Sequence, residues 1–126
     1  MAHRRQLQKI YGVNEKRAIK LVARLLRTKK IDYQKTFSWL LGDKGTSLRV
    51  DAYFPNKKLV AEYHGKQHFE SNQHMDRRPG RAEQRRKYTR RRKLLIPRHN
   101  LKLLEIRYDD ERKDVQEKLM RLGYKI

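Results

Sequence analysis

The chain contains no cysteine among its 126 residues. Disulfides, cysteine-based zinc sites and thiol nucleophiles are therefore excluded together, and any metal must be held by oxygen or imidazole ligands. Long apolar runs are also missing: no segment approaches the ~20 residues that a membrane span needs, and no apolar stretch follows the basic N-terminus. The sequence therefore predicts a cytoplasmic protein with no membrane partner.

Acidic residues are scarce, with 14 Asp and Glu against 34 Lys and Arg, and the formal net charge is +20. Such a chain repels itself unless a polyanion or salt compensates the charge, so nucleic acid is the expected partner and the nucleoid the expected location. The length suits one domain, and hydrophobic residues at 37% can build a modest core. We expect a single domain over residues 1–126 that begins with a basic extension, 1–13.

Hydrophobic spacing divides the chain into helices and strands. Ile19, Val22 and Leu26 recur at helical spacing after a capping residue, Asn14. The predicted elements are a helix over 15–28, strands over 33–41, 48–54 and 59–64, a basic helix over 81–95 that Pro97 ends, a strand over 101–108 and a last helix from the cap Asp110 to Gly123. This order predicts an α/β (α+β) fold with a mixed central sheet of about four strands flanked by helices.

Two acids lie at positions that a tight turn over 55–58 would bring face to face. In that register Asp51 opposes Glu62, and Arg49 opposes His64. Directly opposed side chains are about 4.5–5.5 Å apart, and like charges there destabilise a sheet. A divalent cation between them would offset the repulsion, and Mg²⁺ binds through one or two carboxylates plus waters and phosphate. The alternative is that both are surface carboxylates balancing the excess of Lys and Arg.

The segments 50–54 and 60–68, with the spacing Glu-x-x-Gly-x-Gln-His over 62–68, resemble the PD-(D/E)xK nuclease superfamily. Its small members are the closest likeness: the very-short-patch-repair-like endonucleases and the phage and archaeal-type Holliday junction resolvases. The resemblance covers roughly residues 14–110 and implies a restriction-endonuclease-like core. In two places the chain departs from the family pattern, because Val50 replaces the Pro of the motif and His64 replaces its Lys.

The resemblance also implies a site and a reaction. Asp51, Glu62 and, from the first helix, Glu15 would hold Mg²⁺, for which Mn²⁺ would substitute, and the reaction would be hydrolysis of a DNA phosphodiester bond. His64 would orient or deprotonate the attacking water, because a neutral imidazole accepts a proton near pH 7. Lys66, Gln67 or His68 would serve instead if His64 does not. Glu15 also has a simpler explanation, since an acid in the first turn favourably opposes the helix dipole.

The helix predicted over 81–95 lies in a strongly basic segment. From Arg77 to Lys93 there are ten Lys or Arg and one acid, Glu83. With no acidic partners along the helix, contact with phosphate is a better explanation than solubility. The predicted DNA-binding residues are Arg49, Arg77, Arg78, Arg81, Arg85, Arg86, Arg90, Arg91 and Arg92. His74 and His99 are predicted to be surface residues.

No separate sequence-reading module is recognisable, so selection of DNA by shape is expected. Branched DNA and a symmetric homodimer with two active sites, as in phage-encoded resolvases of recombination and repair, are the expected substrate and assembly. The strand around Phe37 and Trp39 is a candidate dimer surface, although core packing explains these residues equally well. The alternatives are a monomeric site- or mismatch-directed nicking endonuclease acting on duplex DNA, and a non-catalytic basic nucleic-acid-binding protein.

Overall fold

Three helices and four strands build the described part of the chain. The computed structural model describes residues 14–66 and 80–126. Its elements are α1 (Asn14–Leu26), β1 (Asp32–Leu41), β2 (Ser47–Phe54), a short 3₁₀ turn (Pro55–Lys57), β3 (Leu59–His64), α2 (Arg81–Arg98), β4 (Lys102–Arg107) and α3 (Arg112–Arg121). The predicted order of elements is confirmed. The expected N-terminal extension and the predictions for Gln67, His68, His74, Arg77 and Arg78 fall outside the described residues.

The strands form one mixed sheet in the order β1-β2-β3-β4. β1 pairs with β2 and β2 with β3 in antiparallel fashion, whereas β3 and β4 run parallel. A parallel pair needs a long crossover connection, and α2 lies within this one. The described residues thus have an α+β architecture with a four-stranded mixed sheet, as the sequence predicted.

Each face of the sheet carries its own hydrophobic core. On one face α1 and α3 pack against buried strand residues such as Phe54, Ala61 and Leu104. The core on the other face is smaller and joins α2 to the sheet through Leu40, Val50, Val60 and Ile96. The sheet is therefore covered by helices on both sides, and the first residues of α1 and the middle of α2 lie near the same two strands.

The alternation of side chains along β2 breaks at Asp51. Val50 belongs to the core under α2, but Ala52, two residues later, belongs to the core under α1. In an unbroken strand residues two apart share a face. Across from this point in β1, Gln34 has a left-handed backbone with φ 52°, which is uncommon for a residue other than Gly or Asn. The irregularity of the two strands coincides with the first predicted catalytic carboxylate.

A second irregularity corrects the predicted pattern of β1. In a regular strand Leu41 would lie on the same side as Phe37 and Trp39, but the register of β1 against β2 shifts between Thr36 and Leu41. Leu40 is consequently the fully buried residue, and Leu41 is exposed. Phe37 and Trp39 stack on each other and pack against the core under α2, which favours core packing over a dimer surface.

Two helix boundaries also differ from the predictions. Pro97 does not end α2, which runs to Arg98 because the fixed φ of proline suits a helix and costs one hydrogen bond in the last turn. His99 caps the helix, Asn100 follows with a left-handed φ of 60°, and the Leu101 N–H then closes back on the Ile96 carbonyl. The cap of α3 is Glu111, in a reciprocal box with Asp114, and not Asp110.

Gly123 follows the last helical turn with φ 98°, as the sequence predicted. Within residues 14–66 and 80–126, none of the helices combines the length and apolar character that crossing a bilayer requires.

Candidate active site

The site begins where β2 and β3 stop pairing. The predicted pairs Phe54–Leu59, Tyr53–Val60 and Ala52–Ala61 are confirmed. One step further the strands are joined through side chains: the Asp51 N–H donates to Glu62 Oε2 at 2.7 Å, and the Tyr63 N–H donates to Asp51 Oδ2 at 2.7 Å. The two carboxylates therefore lie close together, but beyond the paired ladder and not as the directly opposed pair of the predicted register, and each accepts a backbone hydrogen bond from the opposite strand.

Glu62 is buried in an environment that disfavours its charge. It is 8% exposed and is the one buried charged residue of the described chain. Burial first, and then the negative charge of Asp51, raise the pKa of Glu62 from its usual 4.5 to about 8. The guanidinium of Arg92 acts in the opposite direction, with its Nε 3.2 Å from Glu62 Oε1. Arg92 is held there by a second contact, from its Nη2 to the Arg49 carbonyl at 2.9 Å.

Glu15, at the start of α1, approaches the same centre from the other side of the sheet. Burial and then the charge of Asp51 raise the pKa of Glu15. Burial raises the pKa of Tyr63, and Glu15 adds to it, while a hydrogen bond with the Asn14 side chain lowers it. Asp51 is thus within electrostatic range of both glutamates, and a metal site shared by Glu15, Asp51 and Glu62 stays a prediction.

The donor chemistry of this centre can be compared with the needs of Mg²⁺. Within the described ranges, no three His, Asp or Glu side chains converge in an arrangement that could hold a metal ion. A two-carboxylate site is sufficient for Mg²⁺, which keeps several waters and also uses substrate phosphate. Asp51 and Glu62 are two such carboxylates, but Glu62 Oε2 accepts from the Asp51 N–H and Glu62 Oε1 contacts Arg92 Nε, so a metal at Glu62 would have to replace Arg92.

His64 lies on β3 two residues beyond Glu62, in contact with the edge strand. Its Nε2 is 3.0 Å from Glu105 Oε2, and its side chain is 13% exposed. Burial would raise the pKa of Glu105, but hydrogen bonding with His64 and the charge of Lys93 outweigh it and lower that pKa. An ionised carboxylate accepts and does not donate, so the proton of the contact is on His64 Nε2. A carboxylate in this position fixes the tautomer and orientation of an imidazole.

The predicted opposition of Arg49 and His64 is not found. The described ladder between β2 and β3 ends at Ala52–Ala61, and Arg49 is paired with Thr36 on β1. Beyond Ala52–Ala61 the two strands are joined by the side chains of Asp51 and Glu62, so the predicted backbone pairing does not continue to Arg49 and His64. Arg49 is exposed, and its carbonyl helps to fix Arg92. Lys66 is exposed just after β3.

The expectation that the basic helix has no acidic partners is wrong. Lys87 and Arg91 both pair with Asp43 in the β1–β2 turn, Arg92 pairs with Glu62, and Lys93 lies 3.6 Å from Glu105. Asp43 lies 44 and 48 positions from its two partners, and Glu62 and Glu105 belong to strands, so a search along the helix misses these acids. Arg91 and Arg92 therefore anchor α2 on the sheet, and their DNA-binding role stays a prediction.

Other predicted DNA-binding residues of α2 are accessible to solvent. Arg81, Arg86 and Arg90 are exposed and Arg85 is half-buried. Arg86 and Arg90 have no ion pair within the part of the chain that the structure describes. They remain the cations of α2 best placed to meet an external anion.

The sequence did not single out Tyr63, Glu105 or the inward orientation of Arg92. Glu105 aligns with Glu62 through the parallel pairing of β4 with β3, a contact between distant segments that no local pattern reveals. Comparison with family models, with curated proteins and with solved structures finds no match to this chain. Its chemistry must therefore be argued from these side chains and their geometry.

Proposed function

We propose that this protein is a Mg²⁺-dependent DNA endonuclease with a restriction-endonuclease-like core of the PD-(D/E)xK type. The observation that carries the proposal is the meeting of Asp51 and Glu62 where β2 and β3 diverge. A buried carboxylate beside a second one is costly unless a cation compensates it. The negative charge of Asp51 contributes to the raised pKa of Glu15, so Glu15 lies near the same centre. This proximity and the resemblance of segments 50–54 and 60–68 to the nuclease motif support the same assignment.

The chain's residues have distinct parts in this reaction. Asp51 and Glu62 would hold the metal, with Mn²⁺ able to replace Mg²⁺, and Glu15 would add negative charge to the same centre. When bound, the cation supplies positive charge to the scissile phosphate and acidifies water. Glu105 orients the ring of His64 through the contact with Nε2, and His64 would orient the attacking water or accept its proton.

The substrate proposed is branched DNA, cut by a homodimer. The formal charge of +20 and the solvent-accessible cations of α2, Arg81, Arg85, Arg86 and Arg90, support binding to the phosphate backbone, which fixes position without reading sequence. Selection by shape fits a chain in which no reading module is recognisable. A two-fold dimer would place two active sites on a symmetric junction.

Cleavage assays with matched variants test the proposal. A four-way junction and its linear arms are incubated with the protein in Mg²⁺ or in EDTA. The Glu62→Gln variant should lose cleavage by at least about a hundredfold while retaining DNA binding, because a charge-stabilising group at the reacting centre typically contributes that much. Glu117→Gln, which removes an exposed acid of α3 paired with Arg121, is the control and should cut normally.

The pattern of cleavage separates the proposed substrate from the nearest alternative. Preference for the junction supports resolvase-like activity, whereas equal cutting of junction and arms indicates a nicking endonuclease of the patch-repair type. Unchanged cleavage by Glu62→Gln would overturn the assigned site. Because thermal unfolding of each variant is measured alongside, loss of the fold is distinguished from loss of chemistry.

A non-catalytic nucleic-acid-binding protein is the second candidate. It is favoured by Arg86 and Arg90, which lie one helical turn apart without acidic partners in the described residues. This function predicts DNA or RNA binding that is independent of Mg²⁺ and no cleavage of any substrate.

A further inference from the structure

A cavity of about 630 Å³ lies along the outer edge of β4, between α2 and α3. We call it the β4 cavity. Arg86 and Arg90 of α2 line one side, Arg121 and Leu122 of α3 line another, and Leu103 is among its β4 residues. Its size lies within the roughly 300–1,000 Å³ usual for sites that hold a small molecule. His64 also lines it, so the cavity adjoins the candidate active site.

The charge of the β4 cavity favours an anion. Its lining includes seven Lys or Arg side chains and one carboxylate, that of Glu105. Arg107, Lys118 and Arg121 pair with acids outside the lining, so the attraction for an anion comes from the α2 side. Glu105 is already engaged by His64 and Lys93. Arg86 and Arg90 are at i and i+4 of α2 and have no ion pair in residues 14–66 and 80–126. Two like charges at this spacing repel each other, and a phosphate between them would relieve the repulsion.

Beneath these cations the cavity is apolar. Leu103 and Leu122, both half-buried, contribute hydrophobic surface to it. The backbone of β4 adds polar groups, because Lys102 and Tyr108 donate their N–H groups to Lys58 and His64 on the β3 side. In a strand, alternate residues direct these groups to opposite edges, so those of Leu103 and Glu105 face outwards. A planar base against the leucines, with its phosphate on the arginines, matches both parts of the lining.

We propose that the β4 cavity binds one nucleotide displaced from the stack of a DNA strand, with its base on Leu103 and Leu122 and its phosphate between Arg86 and Arg90. This inference rests on the proposed function for the identity of the polymer. It adds a physical basis for substrate selection, because branched or unpaired DNA offers a displaced nucleotide at a smaller cost in unstacking than a fully paired duplex does.

Binding measured in EDTA separates this inference from catalysis. Two fluorescent duplexes are compared, one fully paired and one with a single unpaired nucleotide; the protein should bind the second at least about tenfold more tightly, a difference of about 1.4 kcal/mol. The mononucleotide dAMP, deoxyadenosine and inorganic phosphate are titrated separately. The nucleotide should bind more tightly than either part alone and should shift the methyl NMR signals of Leu103 and Leu122.

Arg90→Gln is the diagnostic variant, and Arg98→Gln is its control, since Arg98 is an exposed arginine of the same helix outside the cavity lining. Arg90→Gln should abolish the preference for the unpaired nucleotide, and Arg98→Gln should keep it. Equal losses in the two variants, or phosphate binding as tightly as dAMP, would reduce the cavity to general anion attraction and overturn the inference.

Two further outcomes identify which proposal fails. If dAMP binds but the two duplexes bind equally, the cavity takes a free nucleotide and the displaced-strand inference is overturned. Selective binding of the unpaired nucleotide without cleavage in Mg²⁺ supports this inference and contradicts the endonuclease. Cleavage in Mg²⁺ without selective binding of the unpaired nucleotide supports the endonuclease and contradicts this inference.

Discussion

Replacing Arg92 with methionine should destabilise the protein in a way that depends strongly on pH. Arg92 Nε lies 3.2 Å from Glu62 Oε1, and the two side chains are 19% and 10% exposed. Removing one partner of a buried ion pair leaves an uncompensated charge, which typically costs about 3–5 kcal/mol. Methionine keeps much of the volume of the side chain, so the change tests charge more than packing.

The pH dependence follows from the raised pKa of Glu62. Its folded-state pKa of about 8 exceeds the usual 4.5, so the stability contributed by its neutral form is fully present below pH 4.5 and is lost as pH rises through about 8. Arg92 matters most when Glu62 is ionised. At pH 6 we expect Arg92→Met to cost about 1 kcal/mol, for the lost bond to the Arg49 carbonyl, and at pH 9 about 3 kcal/mol or more.

Urea unfolding at pH 6 and pH 9 in EDTA measures both losses, with Arg98→Met as the control at an exposed position. The control should change the free energy of unfolding by no more than about 0.5 kcal/mol at either pH. Equal losses at the two pH values would refute the reasoning, because the charge of Glu62 would then not be the quantity that Arg92 compensates. Adding Mg²⁺ at pH 9 should recover part of the loss if a metal can replace the guanidinium.

Three further substitutions test other parts of the structure. Phe54→Ala should lower the free energy of unfolding by about 3–5 kcal/mol, because Phe54 is fully buried between α1 and the sheet; urea unfolding measures it, and a loss below about 1 kcal/mol would contradict the assigned core. Tyr124→Phe should cost about 1 kcal/mol in the same assay, since the hydroxyl donates to the Lys57 carbonyl at 2.6 Å; no loss would show that water replaces the bond without penalty. The lowered pKa of Glu105 means that its contribution is present above pH 4.5 and is lost as pH falls through its folded pKa. Glu105→Gln should therefore flatten the acid side of the stability curve, and an unchanged curve would argue against the contact with His64.

Local rules predicted the elements and the hairpin because the physical causes are local. The spacing of Ile19, Val22 and Leu26 is sufficient for α1, and a short turn leaves few registers for β2 against β3. The proximity of Asp51 and Glu62 followed directly from that register. The prediction failed one step later, because extending the ladder assumed that backbone pairing would continue where side chains replace it.

Features that depend on distant segments were beyond local patterns. Helical spacing shows that Arg91 and Arg92 are on α2, but the acids that receive them belong to the β1–β2 turn and to β3. The same limit applies to Glu105, which reaches His64 only through the parallel pairing of β4. From the excess of positive charge, an external phosphate was the simplest partner to predict for every arginine. In the folded chain Arg91 and Arg92 instead pair with the carboxylates of Asp43 and Glu62.

The irregular backbone at Asp51 explains how two acids can meet inside a sheet. If β2 alternated regularly, Asp51 would project from one face, away from the plane in which backbone groups pair. The change of face between Val50 and Ala52 instead lets its carboxylate reach the Tyr63 N–H, while Glu62 reaches the Asp51 N–H. The left-handed Gln34 opposite carries a backbone cost of roughly 1–2 kcal/mol. A fold that retains this cost beside a buried, ionisable pair is better explained by a requirement for the carboxylates' position than by stability, since an apolar pair on a regular ladder would be more stable.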